Sequence, residues 1–115
     1  MFEAGDLVLL PFPFSDLTST KRRPVLILTG PDPRGDFLAC PVTSRAGWLN
    51  ARQVSGHHLS EGGLPLDSWV RTDKVVTLHI GLIARRFGRV SSSFRAAVAG
   101  DVCRYLDAAA GITSL

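Results

Sequence analysis

Two cysteines, one methionine, one tyrosine and two lysines are all that this 115-residue chain contains of those residue types. Cys40 and Cys103 have no C-x-x-C spacing and no histidine at ligand distance, which argues against a zinc site or redox pair; both read as reduced core thiols. No apolar run approaches the roughly 20 residues of a membrane span. No charged-then-apolar leader precedes the first strand, so the expected location is the cytoplasm and no membrane partner is expected. A Walker loop, a G-x-S-x-G elbow, an H-E-x-x-H pair and any metal-ligand cluster are also missing, so neither a cofactor nor a metal is expected. The length leaves room for one domain, residues 1–115, and excludes a two-domain enzyme.

What is present is a globular composition: 45% hydrophobic, 20% charged and 8% aromatic residues. A core of this size buries roughly two-thirds of the unfolded surface, so self-association into a dimer is expected to add stability. The net charge is +3, and eleven of the thirteen basic residues are arginines. Arginine's planar fork grips phosphate and stacks on bases, so this bias permits a nucleic-acid partner without requiring one.

Along the chain, Leu7–Leu10 is a short continuous apolar run, the pattern of a strand buried on both faces, and it is expected to stop at Pro11. Pro11-Phe12-Pro13-Phe14 lacks two N–H donors and reads as an extended arm into a loop, Ser15–Arg22. Pro24–Leu28 and Phe37–Thr43 form the next two strands, joined by the turn cluster Gly30–Asp36. The Gly-rich stretch Arg45–Leu66 holds one weak strand near Ala51–Val54 and much loop. Ser68–Val76 and Ile83–Val90 read as later strands. Serines 91–93 then offer N-caps for a helix whose apolar positions, from Phe94 to Ala109, recur at helical spacing up to Gly111. Gly100, in mid-helix, hints at close packing on another surface. Short strands at close spacing with one terminal helix predict a mainly β protein with a small SH3-like β-barrel.

Three groups of residues can carry chemistry. Lys21-Arg22-Arg23 is either a solubilising loop tip or a phosphate grip, since three adjacent cations resist burial. Thr43-Ser44 places two hydroxyls at a strand end. Strand alternation sets Arg71 and Asp73 on one face, close enough for a guanidinium–carboxylate pair, which is either a surface salt bridge or a catalytic couple. His57-His58 and His79 have no partner motif for acid–base work.

Read in order, Gly5–Leu17, Lys21-Arg22-Arg23-Pro24-Val25-Leu26-Ile27-Leu28, Pro41-Val42-Thr43-Ser44, Gly63–Ser68, Val70-Arg71-Thr72-Asp73-Lys74 and Leu82–Val90 resemble the MazF/PemK family of toxin–antitoxin endoribonucleases, on its PemK side. The resemblance covers residues 5 to about 106. It implies a dimeric SH3-like barrel of the MazF/PemK/CcdB toxin type that cleaves single-stranded RNA without a metal and is held inactive by a cognate antitoxin. Position by position, Arg23 matches the family's catalytic arginine, Thr43 its active-site threonine, and Arg71 and Asp73 its Arg-x-Asp acid–base pair. Ser44 is a neighbouring RNA contact. One departure is Thr18, which stands where some MazF members carry a glutamate.

The chemistry agrees with that assignment. RNA brings its own nucleophile, so an enzyme must deprotonate the 2′-hydroxyl, neutralise the phosphorane and protonate the leaving 5′-oxygen. Asp73 is the base of the set and Arg71 its orienting partner; Arg23, whose planar guanidinium matches the geometry of a phosphate, is an electrostatic clamp. Such a route leaves 2′,3′-cyclic phosphate and 5′-hydroxyl ends. Single-stranded bases would stack on Phe12, Phe14 or Trp48, while Lys21, Arg22, Arg45, Arg85 and Arg86 would track the backbone. The rival readings are a barrel that binds a protein target, such as a topoisomerase, and an SH3-like module that binds RNA without cutting it.

Overall fold

In the computed structural model, which describes residues 1–11 and 21–113, eight strands precede one helix. They are β1 Asp6–Pro11, β2 Arg22–Ile27, β3 Asp36–Thr43, β4 Ala51–Val54, β5 Leu59–Gly62, β6 Ser68–Arg71, β7 Val76–His79 and β8 Arg85–Val90, followed by α1 Ser92–Thr113. Single 3-10 turns, Gly56–His58 and Ile80–Leu82, precede β5 and follow β7. The strand order is β4-β6-β3-β2-β1-β8-β5, with β7 paired to β3 off that path. β3 is the pivot. Its residues Asp36–Ala39 pair with β7, Ala39–Pro41 with β2, and Val42 and Thr43 with β6. One strand thus serves both parts of the sheet, which curls into the expected small SH3-like barrel.

The continuous apolar run of β1 is buried on both faces, as its sequence predicts. Leu7 joins Leu26, Cys40, Val42, Val54, Val70 and Val90 beneath α1, which contributes Phe94, Val98 and Val102 at four-residue spacing. Val8 and Leu10 point the other way, into a second cluster with Val25, Ile27, Phe37 and Ala39. Ser91 caps the helix, its Oγ accepting the Phe94 N–H at 3.2 Å. A bidentate pair ties α1 to β4: Arg52 Nε and Nη2 donate to Asp101 at 2.6 and 3.1 Å, and Arg104 bonds the same carboxylate. No helix among the described residues is long and apolar enough to cross a membrane.

Several expectations need correction. β1 includes Pro11 and β2 starts at Arg22, because Pro11 pairs with Arg22 at the open end of the ladder. The segment predicted as one strand over Ser68–Val76 is two, β6 and β7, separated by a turn at Thr72 and Asp73. β5 lies inside the stretch read as loop, because only Leu59 of its four residues is shielded from solvent. Cys40 is buried but Cys103 is exposed on α1. Gly100 makes no close approach to the sheet, since a Cβ there would meet only the Arg104 guanidinium of its own helix. Residues 12–20 of the predicted arm and loop, among them Phe12, Phe14 and Thr18, lie outside the described residues.

Asp6, fully buried at the start of β1, anchors an ion network. Its Oδ2 accepts the Glu3 N–H at 2.8 Å, and its Oδ1 accepts Arg86 Nε at 3.0 Å and Arg89 Nε at 2.7 Å. Arg86 and Arg89 also grip Glu61, and Arg89 reaches Glu3.

Candidate active site

A groove of about 820 Å³ opens where the start of β2, the ends of β3 and β6 and the start of β8 converge, with residues 64–66 along one side. Ladder pairing places Arg22 opposite Pro11 and Arg23 opposite Leu10, so the basic triplet enters the sheet at this mouth. Lys21, Arg22, Arg23, Thr43, Ser44, Arg45, Trp48, Arg71 and Arg85 all line the groove, bringing together residues more than 60 positions apart. Lys74 lines it too; it directly follows the Arg71-Thr72-Asp73 motif, and that adjacency is the sequence signal that could have assigned it.

Among the described residues that line it, seven are Lys or Arg and none is Asp or Glu. A cleft walled by one sign of charge focuses its field and concentrates polyanions. A second recess of about 580 Å³ lies between β4 and α1, but its two arginines, Arg52 and Arg104, both pair with Asp101, which offsets one of their two charges.

Arg71 closes β6, and the chain turns at once; the Thr72 N–H donates to the Asn50 carbonyl at 3.0 Å and its side chain is buried. That turn brings Asp73 back against Arg71. Arg71 Nε and Nη2 donate to Asp73 Oδ1 and Oδ2 at 3.1 and 2.9 Å, with side-chain exposures of 19% and 22%, so this is a half-buried, bidentate pair rather than a solvated surface bridge. Arg71 lines the groove and Asp73 stands behind it. The guanidinium carbon of Arg71 also lies 3.9 Å from the centroid of the Trp48 ring.

Thr43 Oγ1 accepts the Arg45 N–H at 3.1 Å, which fixes the exit of β3 and leaves the hydroxyl proton available to an incoming oxygen. Below the groove, burial pushes the Cys40 thiol up to about 12, with the negative charge of Asp73 adding to it, so Cys40 is no nucleophile.

Some candidates lie elsewhere. Arg86 follows Arg85 on the opposite face of β8 and is engaged by Asp6 and Glu61, outside the groove lining. Phe14 falls outside the described residues. The histidines serve the fold: His58 Nδ1 accepts the Ser55 N–H and its ring packs on Phe94, while His79 Nδ1 accepts the Gly81 N–H and its Nε2 meets the Arg34 carbonyl.

A family model described as PemK-like, MazF-like toxin of type II toxin–antitoxin systems matches residues 3–106. No curated protein gives a significant match. Among solved structures, the chain is similar to a chain of the MazE–MazF structure (Form-II) from Deinococcus radiodurans, with 27% identity and a TM-score of 0.71 over 92% of this chain and 96% of that one. It shares the fold of the Mycobacterium tuberculosis toxin MazF-mt6, at 22% identity and TM-score 0.65 over 89% and 96% of the two chains. It likewise shares the fold of an endoribonuclease in complex with its cognate antitoxin from a mycobacterial species, at 16% identity and TM-score 0.64 over 93% and 96%.

Proposed function

Because the chain belongs to the PemK-like, MazF-like toxins of type II toxin–antitoxin systems, we propose that it is a metal-independent, sequence-selective endoribonuclease that cuts single-stranded RNA and so arrests translation and growth. The observation that carries this reading is the basic groove, in which Arg23, Thr43 and Arg71 come together from three strands, with Asp73 paired to Arg71 from the turn behind.

Asp73 takes the proton from the 2′-hydroxyl; each of its oxygens keeps a lone pair after accepting from Arg71, and its side chain is still 22% exposed. The 2′-oxygen then attacks phosphorus as the bond to the 5′-oxygen breaks, and the leaving oxygen takes up one proton from water while Asp73 returns its own to solvent, so that no net proton is consumed. The products are a 2′,3′-cyclic phosphate and a 5′-hydroxyl, and the nucleophile comes from the substrate itself. Arg23, together with Nη1 of Arg71, which lies outside the ion pair, offsets the charge that builds on the phosphorane. Thr43 donates its hydroxyl proton to a non-bridging oxygen. Lys21, Arg22, Ser44, Arg45, Arg85 and Lys74 track the backbone, and Trp48 offers a stacking face.

A cognate antitoxin is the proposed protein partner, supported by antitoxin complexes among the structural relatives. An acidic extended segment suits a groove whose described lining carries seven cations and would cover Arg23. We further propose that residues 1–115 form one toxin domain and act as a homodimer, which light scattering at micromolar concentration will read as twice the 12.4 kDa chain mass.

The test is a pair of variants. Asp73→Asn and Arg23→Ala are expected to lower cleavage by about 10²–10⁴-fold, the usual worth of an acid–base or electrostatic group, while the Asp73 variant still binds RNA. Full cleavage by Asp73→Asn removes it as the base. RNA bound but uncut by the wild type makes the protein a binding barrel, and neither binding nor cutting points to a protein-directed toxin.

A further inference from the structure

Trp48 sits in the loop between β3 and β4, with 44% of its surface exposed, yet the groove-facing arginine of the catalytic pair lies over its ring. Arg71 needs such support. It is the last residue of β6, the chain turns immediately after it, and a long side chain at a strand end has many rotamers. Two partners remove that freedom in different directions: the Asp73 carboxylate engages Nε and Nη2 along one edge of the guanidinium, and the Trp48 ring covers it at 3.9 Å from the centroid. Nη1 is left outside the carboxylate pair, on a residue that lines the groove.

We propose that Trp48 is a positioning residue for Arg71: the stacked ring and the carboxylate together hold the guanidinium so that Nη1 is presented to the phosphate of a bound RNA strand. This rests on reading the groove as an RNA-cleaving site. It goes beyond that reading because it makes Trp48 act on turnover through Arg71, and not only on RNA affinity through base stacking. The pairing is specific to a π face, so phenylalanine should preserve it and alanine or leucine should not.

The experiment has two arms. In the first, without RNA, the Arg71 Nε–H signal is followed by NMR in the wild type, Trp48→Ala and Trp48→Phe, with Arg71→Lys identifying the peak. The wild-type signal is expected to be shifted upfield by the ring and protected from exchange. In Trp48→Ala the shift is lost and exchange quickens about two- to fivefold, the range for an exposed cation–π contact. Trp48→Phe keeps most of both. An Arg71 signal unchanged in Trp48→Ala overturns the proposal whether or not the protein cuts RNA.

The second arm uses a single-site RNA. Trp48→Ala is expected to lower kcat by about 10- to 100-fold, the cost of misplacing a reacting group by about an ångström. Trp48→Phe should recover it to within a few-fold, and Trp48→Ala should add no further kcat loss in an Arg71→Ala background. A rise in KM alone, or a full additional loss in that background, overturns the proposal. A wild type that cuts no RNA instead overturns the functional reading, while the first arm still decides the clamp. Unchanged thermal midpoints for both Trp48 variants exclude misfolding as the cause.

Discussion

Replacing Asp6 by asparagine removes one charge while moving almost no atoms. The carboxylate is fully buried, and it accepts the Glu3 N–H on one oxygen and two arginine Nε groups on the other. Asparagine cannot satisfy all three. With its carbonyl toward the arginines its NH₂ opposes the Glu3 N–H, and when flipped the NH₂ faces two guanidinium groups. Hydrogen bonds to charged groups contribute about 1.5–3 kcal/mol each. Arg86 and Arg89 are still 29% and 26% exposed and keep Glu61 and Glu3 as partners, so the loss is discounted to about 2–4 kcal/mol in all. At roughly 4 °C per kcal/mol for a chain of this size, Tm at pH 7 falls by about 8–16 °C.

The pH dependence of that gap identifies its source. Burial on its own would raise the Asp6 carboxyl, but the bonds from Arg89, the Glu3 N–H and Arg86 together hold it below the usual carboxylate range. A lowered native value stabilises the fold fully above the unfolded pKa of about 3.9 and ceases to do so as pH drops through the native value. Calorimetry of wild type and Asp6→Asn should therefore show the Tm gap constant from pH 7 to 5 and shrinking below about pH 4. A gap under about 2 °C at pH 7, or one that persists undiminished at pH 2, refutes the reasoning.

Arg85 and Arg86 are neighbours with different work. Arg85→Ala is expected to weaken RNA binding and reduce the slope of log K against log salt by about 0.7, one phosphate contact on a single strand, whereas Arg86→Ala leaves the slope unchanged and lowers Tm. Equal slope changes in the two variants contradict this division. Gly62 adopts φ +77°, and a Cβ there would lie 2.3 Å from the Phe87 carbonyl oxygen. Gly62→Ala should cost about 2–4 kcal/mol in urea unfolding through backbone strain and displacement of β5 from β8; an unchanged midpoint contradicts the geometry.

The parts of the fold legible in the sequence are those in which burial dominates the local pattern. β1 and β2 read as strands because both faces are buried, and the helix reads from Phe94, Val98 and Val102. β5 was hidden because an edge strand with one shielded residue of four has no apolar alternation to betray it. β7 was hidden for the opposite reason: Val75 and Val76 continue the β-branched run of β6 through a turn that composition does not mark. Strand alternation predicts the Arg71–Asp73 pair, yet it forms because the chain leaves β6 and folds Asp73 back. Adjacency in the sequence groups Arg86 with Arg85; only tertiary pairing with Asp6, 80 residues away, separates them. The contact of Trp48 with Arg71 joins a loop to a strand end 23 positions on, and no local signal carries it.

The most direct test is incubation of the purified protein with a long single-stranded RNA in EDTA, followed by mapping of cut positions and end groups. Cuts at one short motif, ending in 2′,3′-cyclic phosphate and 5′-hydroxyl and absent from Arg23→Ala and Asp73→Asn, are the expected result. Intact RNA, or cleavage that the two variants retain in full, contradicts it.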